Sequence, residues 1–318
     1  MDKPLIYRTK ADEEGDCMKN DTVGILSIFM YELLIGVGPY VYTTIHVSIP
    51  SELIVAIRFG FGTGALFVWL AISGLWRTVF HSVSWKQMAG MVFLGAAGSG
   101  IASLWNVLSI RHIGITLSTV LVNLEIPLGI LFGALVFHNH LSASFLKALG
   151  VILIGFFLVT VKNGIQLPVG GSYVSGVMFA LGAAGIWAGC TVIGKKLLNS
   201  IHPVAVAWYR MILGSMMNVG IAFVNGNLSK NAFIHIQQSD WVSLLFLGCI
   251  SSGVGLALYY TALHKLSVAK ISLLFLISPI VSVFLGLGVG EAPLLSQWIG
   301  IICIVGSIGY VFMKKEIP

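Results

Sequence analysis

Two carboxylates, two guanidiniums and a lysine stand inside long apolar runs of this chain: Glu32, Glu125, Arg58, Arg210 and Lys270. An ionisable group at membrane depth costs several kcal/mol unless it is paired or faces water, so each is a candidate for function. At 1.5 Å per helical residue, Glu32 lies roughly 15 Å into its run and Glu125 roughly 18 Å into its own, so both fall near the bilayer midplane. Acids placed there can bind a cationic or amino group. They can also take up protons, because removal from water penalises the charged form. The competing structural reading is an internal salt bridge with Arg58 or Arg210. The two arginines lie roughly 10–12 Å from opposite bilayer faces, where they fit either gating and packing or direct anchorage of a carboxylate or phosphate. Lys270 is about one turn into its run and can snorkel to the headgroups, or hold an anionic substrate. Trp105, Asn106, Trp187, Tyr259 and Tyr260 combine apolar faces with polar tips, which suits either a substrate cavity or ordinary packing and an interfacial belt.

Other chemistries have no footing in the sequence. There is no HExxH, GxSxG or clustered carboxylate dyad, so an intramembrane enzyme is not expected. No Walker A loop is present, so transport would draw on a gradient or on exchange. His138 and His140 have no third ligand nearby, and the cysteines Cys17, Cys190, Cys249 and Cys303 show no metal-ligand spacing. Neither a metal nor another cofactor is expected.

The elements that must hold these residues follow from composition. The 318 residues are 57% apolar and 9% charged, with a mean hydropathy of +0.95, which describes a chain whose solvent is lipid. The +6 charge is scattered, which excludes a nucleic-acid patch. A crossing needs about 20 mostly apolar residues. Ten runs qualify: 22–46, 51–76, 85–110, 114–137, 145–161, 172–197, 203–224, 241–263, 267–289 and 294–312. The lack of dyad alternation makes the fold all-α. With the N-terminus inside, twelve basic residues are cytoplasmic and only Arg111, Lys162 and Lys230 lie outside, so both termini are expected in the cytoplasm. The first apolar run is far longer than a signal-peptide core, and no cleaved leader is expected.

The second half of the chain repeats the first. Phe93-Leu94-Gly95 leading to Ile110-Arg111-His112 matches Phe246-Leu247-Gly248 leading to Leu263-His264-Lys265 at constant offset. Pro127 matches Pro279, Pro50 with Arg58 matches Pro203 with Arg210, and Asn106 aligns with Tyr259. Five crossings per copy is an odd number, which makes the copies an inverted pair related by an axis in the membrane plane. Pro127 and Pro279 each remove a backbone donor and are candidate hinges. Glycine pairs at four-residue spacing (Gly60/Gly64, Gly129/Gly133, Gly185/Gly189, Gly286/Gly290) are expected to bring helices together.

Taken together, Arg58 and Arg210, Pro127 and Pro279, Trp187, and Glu291 followed by Gly300 and Gly306 resemble the EamA-type ten-helix members of the drug/metabolite transporter superfamily, over nearly the whole chain. Two departures stand out: His138-Asn139-His140 where the first repeat usually has an acid, and Glu32 in the first helix. The resemblance implies a substrate cavity between the five-helix halves, alternating access, and substrates ranging from amino acids and nucleoside-like metabolites to sugars and drugs. The expected organisation is a tail over 1–21, repeats over 22–162 and 172–313, a connecting loop over 163–171, and a tail over 314–318. The expected function is a secondary carrier in the inner membrane, moving an amino-acid-like or amine-bearing metabolite outward or in exchange. Its partners would be a small-molecule substrate, the lipid bilayer and protons as a candidate coupling ion; the monomer and the homodimer stay equally open. A flippase for lipid-linked substrates and a non-transporting scaffold or receptor are the alternatives.

Overall fold

In a computed structural model of the protein, residues 10–78, 84–137, 143–160, 171–228, 233, 236–266, 271, 275 and 277–313 are described. Among them every regular element is helical. The principal helices are α1 (Lys10–Thr43), α2 (Ser51–Ile72), α3 (Trp85–Ile113), α4 (Ile115–Val122), α5 (Glu125–Phe137), α6 (Ala143–Thr160), α7 (Gly171–Leu197), α8 (Pro203–Val224), α9 (Gln238–Lys265), α10 (Ile277–Gly288) and α11 (Leu295–Met313). Seven spans among the described residues are long and apolar enough to cross a membrane: those of α1, α2, α3, α4 with α5, α7, α8 and α9. Shorter apolar helices lie within α6 and α11. In a hydrocarbon solvent each backbone amide must bond within its own helix, which is why uncharged runs of this length become helices.

Local signals fix where the helices begin. Ser84 and Gln87 form a capping box at the start of α3, and Pro203 occupies the first turn of α8, where its missing N–H costs nothing. Helix α1 extends from Lys10, and its membrane-spanning part begins at Asp21, next to the expected start at residue 22. Two features were not anticipated: α3 and α9 each contain a π-helical stretch, Phe93–Ala102 and Phe246–Val254, at matching positions of the two halves. The fourth expected run is broken rather than gently bent. Pro127 cannot donate to the carbonyl of Asn123, which instead accepts from Ile126 at 3.1 Å, and the helix restarts at Glu125. Pro279 occupies the same third position of α10.

Packing pairs helices from opposite halves: α2 with α8, α6 with α11, α1 with α9 and α10, α7 with α3 and α5, α8 with the π stretch of α3, and α2 with that of α9. This set is unchanged when each first-half helix is exchanged for its second-half counterpart. Helices α2 and α8 run antiparallel: Glu52 accepts from the Asn225 and Asn227 amides at one end, while Gly62 lies against Met211 farther along. Helices α1 and α9 are also antiparallel, with Gly24 beside Leu266 and the Thr44 hydroxyl 2.9 Å from that of Ser243.

Apart from Gly286, where a Cβ would lie 2.4 Å from the Thr116 hydroxyl of α4, the glycines that allow close approach are not those of the four-residue pairs. A Cβ at Gly64, Gly129, Gly133, Gly185 or Gly290 would meet open space. The tight contacts are at Gly62, 2.9 Å from the Gly248 carbonyl, and at Gly214, 3.2 Å from that of Gly95, distances measured from a Cβ built on the first-named residue. Spacing alone does not say which helix face meets a partner. Here the crossing points fall on the π stretches, whose phase a regular helical pattern misplaces.

Candidate functional site

The interface between the halves encloses a void of about 120 Å³, roughly ten waters' worth by the same measure. Of the residues singled out from sequence, Glu32, Glu125, Arg58, Arg210, Asn106, Trp187 and Tyr259 line it. Tyr260 does not reach the void but supports it from behind, and Trp105 lies away from it, its ring packed between Gly182 and Phe179 of α7. That placement makes Trp105 a packing residue: its side chain leaves α3 toward the neighbouring helix, a direction that residue type alone does not reveal. Lys270, His138 and His140 fall outside the described residues. Cys190, Cys249 and Cys303 are free thiols.

The arginines are held in matching cradles. Arg58 donates through Nε to the Ser252 hydroxyl at 2.5 Å and through Nη1 to the Tyr42 hydroxyl, and its guanidinium lies 5.0 Å from the Phe59 ring centroid. Arg210 donates through Nε to Ser99 and through Nη1 to Tyr260, both at 3.0 Å. Each arginine therefore reaches into the π stretch of the opposite half. Hydroxyls keep a guanidinium bonded without cancelling its charge, so the expected alternative of an internal Glu–Arg salt bridge does not describe these donors.

The acids are held differently. Glu32 is 3% exposed on α1 and lines the void together with Glu125 and with Ser278 of the first turn of α10. Glu125 opens α5 directly after the break that Pro127 enforces. Trp187 donates to the Gly98 carbonyl at 2.8 Å, and Thr191 bonds the Tyr259 hydroxyl at 3.1 Å, so both aromatic walls are fixed. The rings of Tyr31 and Phe275 flank Tyr259, with centroids 5.1 and 6.2 Å away.

One family model matches this chain: residues 174–313 fit the EamA-like transporter family. The chain carries an EamA-like transporter domain. An uncharacterized transporter of Bacillus subtilis, YxxF, is 25% identical over 85% of this chain and 84% of its own length. Another from Clostridium kluyveri is 30% identical over 52% of this chain and 53% of its own. A protein of known crystal structure shares the fold with a TM-score of 0.68 at 16% identity, covering 92% of this chain and 97% of that one. With its apolar helices and these similarities, the chain is a multi-pass membrane transporter whose second half fits the EamA-like family.

Several lining residues escaped the sequence reading: Tyr31, Tyr42, Ser99, Ser103, Thr119, Asn123 and Ser251. One signal was available, because Ser99 and Ser252 stand at the same offset as Gly95 and Gly248 within the repeat already recognised. The others are hydroxyls and amides on helix faces that only the assembled interface distinguishes.

Proposed function

We propose that the protein is a secondary carrier for a small amine-bearing, amino-acid-like metabolite, bound between two inverted five-helix repeats over 22–162 and 172–313. The antiparallel pairing of α2 with α8 and the exchange of arginine cradles support the inversion. The basic-residue distribution supports cytoplasmic termini, ten crossings and an inner-membrane location. The observation that carries the substrate class is the pair of carboxylates, Glu32 and Glu125, facing one void while the nearby guanidiniums donate to hydroxyls. The acids are free to take an ammonium group, and the arginines keep charge available for a carboxylate. The small void fits a metabolite rather than a large drug, since pockets for drug-sized ligands span roughly 300–1,000 Å³. Either acid can also take up a proton as the substrate leaves and release it on the opposite side, which would couple export to a proton gradient.

Glu32→Gln and Glu125→Gln in reconstituted vesicles test this reading. Each substitution keeps shape and removes charge, and each is expected to lower uptake of an amino-acid substrate at least about tenfold and flatten its pH dependence. Unchanged uptake and unchanged pH dependence in both variants would overturn it.

A further inference from the structure

We infer that Ser251 and Thr119 select the transported molecule, by hydrogen bonding a neutral polar group, a hydroxyl or an amide, that it carries beside its ammonium. The inference rests on the amine-carrier reading above. Both residues line the void, Ser251 is 0% and Thr119 6% exposed, and neither hydroxyl has a hydrogen-bond partner among the described residues. A buried polar group left unbonded is destabilising, and where a cavity lies in front of it a ligand can complete the bond.

The surroundings show why these two differ from their neighbours. Three threonines elsewhere in the bundle turn their hydroxyls back onto the carbonyl four residues earlier, Thr63 onto Phe59, Thr191 onto Trp187 and Thr261 onto Ala257, while the Thr116 hydroxyl, also unpartnered, does not line the void. Thr119 makes no such bond, and its own carbonyl is already occupied by the Asn123 side-chain amide at 2.7 Å and the Asn123 backbone N–H at 3.1 Å. Ser252, next to Ser251, receives Arg58, whereas Ser251 faces Gly38 of α1, where even an added Cβ would stay 3.9 Å from the hydroxyl. Gly38 lines the same void.

The repeat sharpens the distinction. The arginine cradles are duplicated, so they belong to the framework common to both halves. Ser251 is not duplicated: its counterpart at the same offset is Gly98, whose carbonyl is filled by Trp187. At Ser251 the unfilled hydrogen-bonding capacity lies where the two copies differ, which is where an asymmetric small molecule can be told from its near relatives.

The test uses the purified full-length protein and isosteric pairs that differ in one polar group: threonine against valine, asparagine against leucine, and ethanolamine against propylamine. Equilibrium binding is expected to favour the polar member by about tenfold or more, because the apolar member leaves the hydroxyls unbonded. In Ser251→Ala and Thr119→Val that ratio should fall toward one, with ligand-free unfolding midpoints checking that the variants fold. Equal affinity within each pair for the wild type, or an undiminished ratio in the variants, overturns the selection role and leaves the amine reading standing. Failure of all six compounds to bind would instead remove the amine reading, and this inference with it.

Discussion

Arg58 and Arg210 show how a charged side chain is kept inside a membrane bundle by hydroxyls rather than by a salt bridge. Each spends two N–H groups on two hydroxyls from different helices, a geometry that a planar fork satisfies and a single ammonium does not. Arg58→Lys should therefore lower stability by about 1–3 kcal/mol, because at least one of the Ser252 and Tyr42 hydroxyls loses its partner while a charge stays buried. Arg210→Lys should cost a similar amount through Ser99 and Tyr260. Thermal unfolding in detergent measures both, and unaltered midpoints would mean that the cradles are dispensable. At the same scale, Glu291 joins the halves by accepting from the N–H groups of Ile115 and Thr116, at 2.5 and 2.8 Å, at the first turn of α4. Gly114, at φ +84°, makes room there, since an added Cβ would lie 2.5 Å from the Glu291 carboxylate.

Among the elements, the contacts between α2 and the π stretch of α9 and between α8 and that of α3 are set by glycines at the crossing points. A Cβ at Gly248 would fall 2.6 Å from the Arg58 backbone carbonyl, which no side-chain rotation relieves. Gly248→Ala is expected to destabilise by about 1–3 kcal/mol, as overpacking does. Gly129→Ala and Gly133→Ala meet open space and should be neutral or stabilising by about 0.5–1 kcal/mol, since alanine is the better helix former. The three unfolding midpoints compared side by side decide whether crossing geometry or glycine spacing governs packing. The break before α5 places Glu125 at the void, and Pro127→Ala supplies an N–H that can bond the Asn123 carbonyl in regular helical register in place of that of Ile126. If the break is a hinge, the variant should keep substrate affinity and lose turnover by about tenfold, visible as a fall in kcat at constant KM.

For the whole molecule, the most extensive helix contacts join one half to the other, so alternating access by relative motion of the halves can be tested at their contacts. Thr44 at the end of α1 and Ser243 at the start of α9 touch at 2.9 Å on one side of the bundle. Cysteines at both positions are close enough to bridge, and the disulfide should hold that side shut. Transport by the Thr44→Cys/Ser243→Cys protein is expected to stop on oxidation and return with reductant, with binding from the other side retained. Full transport in the oxidised protein would show that this side need not open. On the same side, the His46 ring meets the buried Asp240 carboxylate at 2.9 Å, and Arg111 donates to Ser51 and the Ile49 carbonyl, so several polar contacts share the seal.

Most of the helical layout was legible in the sequence because lipid leaves a backbone few choices: an apolar run of about 20 residues becomes a helix, and Pro127 interrupts one wherever it stands. Duplication was legible too, since the 153-residue offset from Gly95 to Gly248 recurs from Ile110 to Leu263 and Asn106 to Tyr259, and Pro127 and Pro279 match within one residue of it. The isolated ionisable residues could be picked out for the same reason, because nothing but a site or a partner offsets their cost. What needed the tertiary structure was the direction of each side chain around its helix. Trp105 and Asn106 are neighbours in sequence, yet one packs against α7 and the other faces the void. Hydroxyls are cheap to place anywhere in a helix, so Ser99, Ser252, Ser251 and Thr119 carry no mark of their roles until the opposite half supplies, or withholds, a partner.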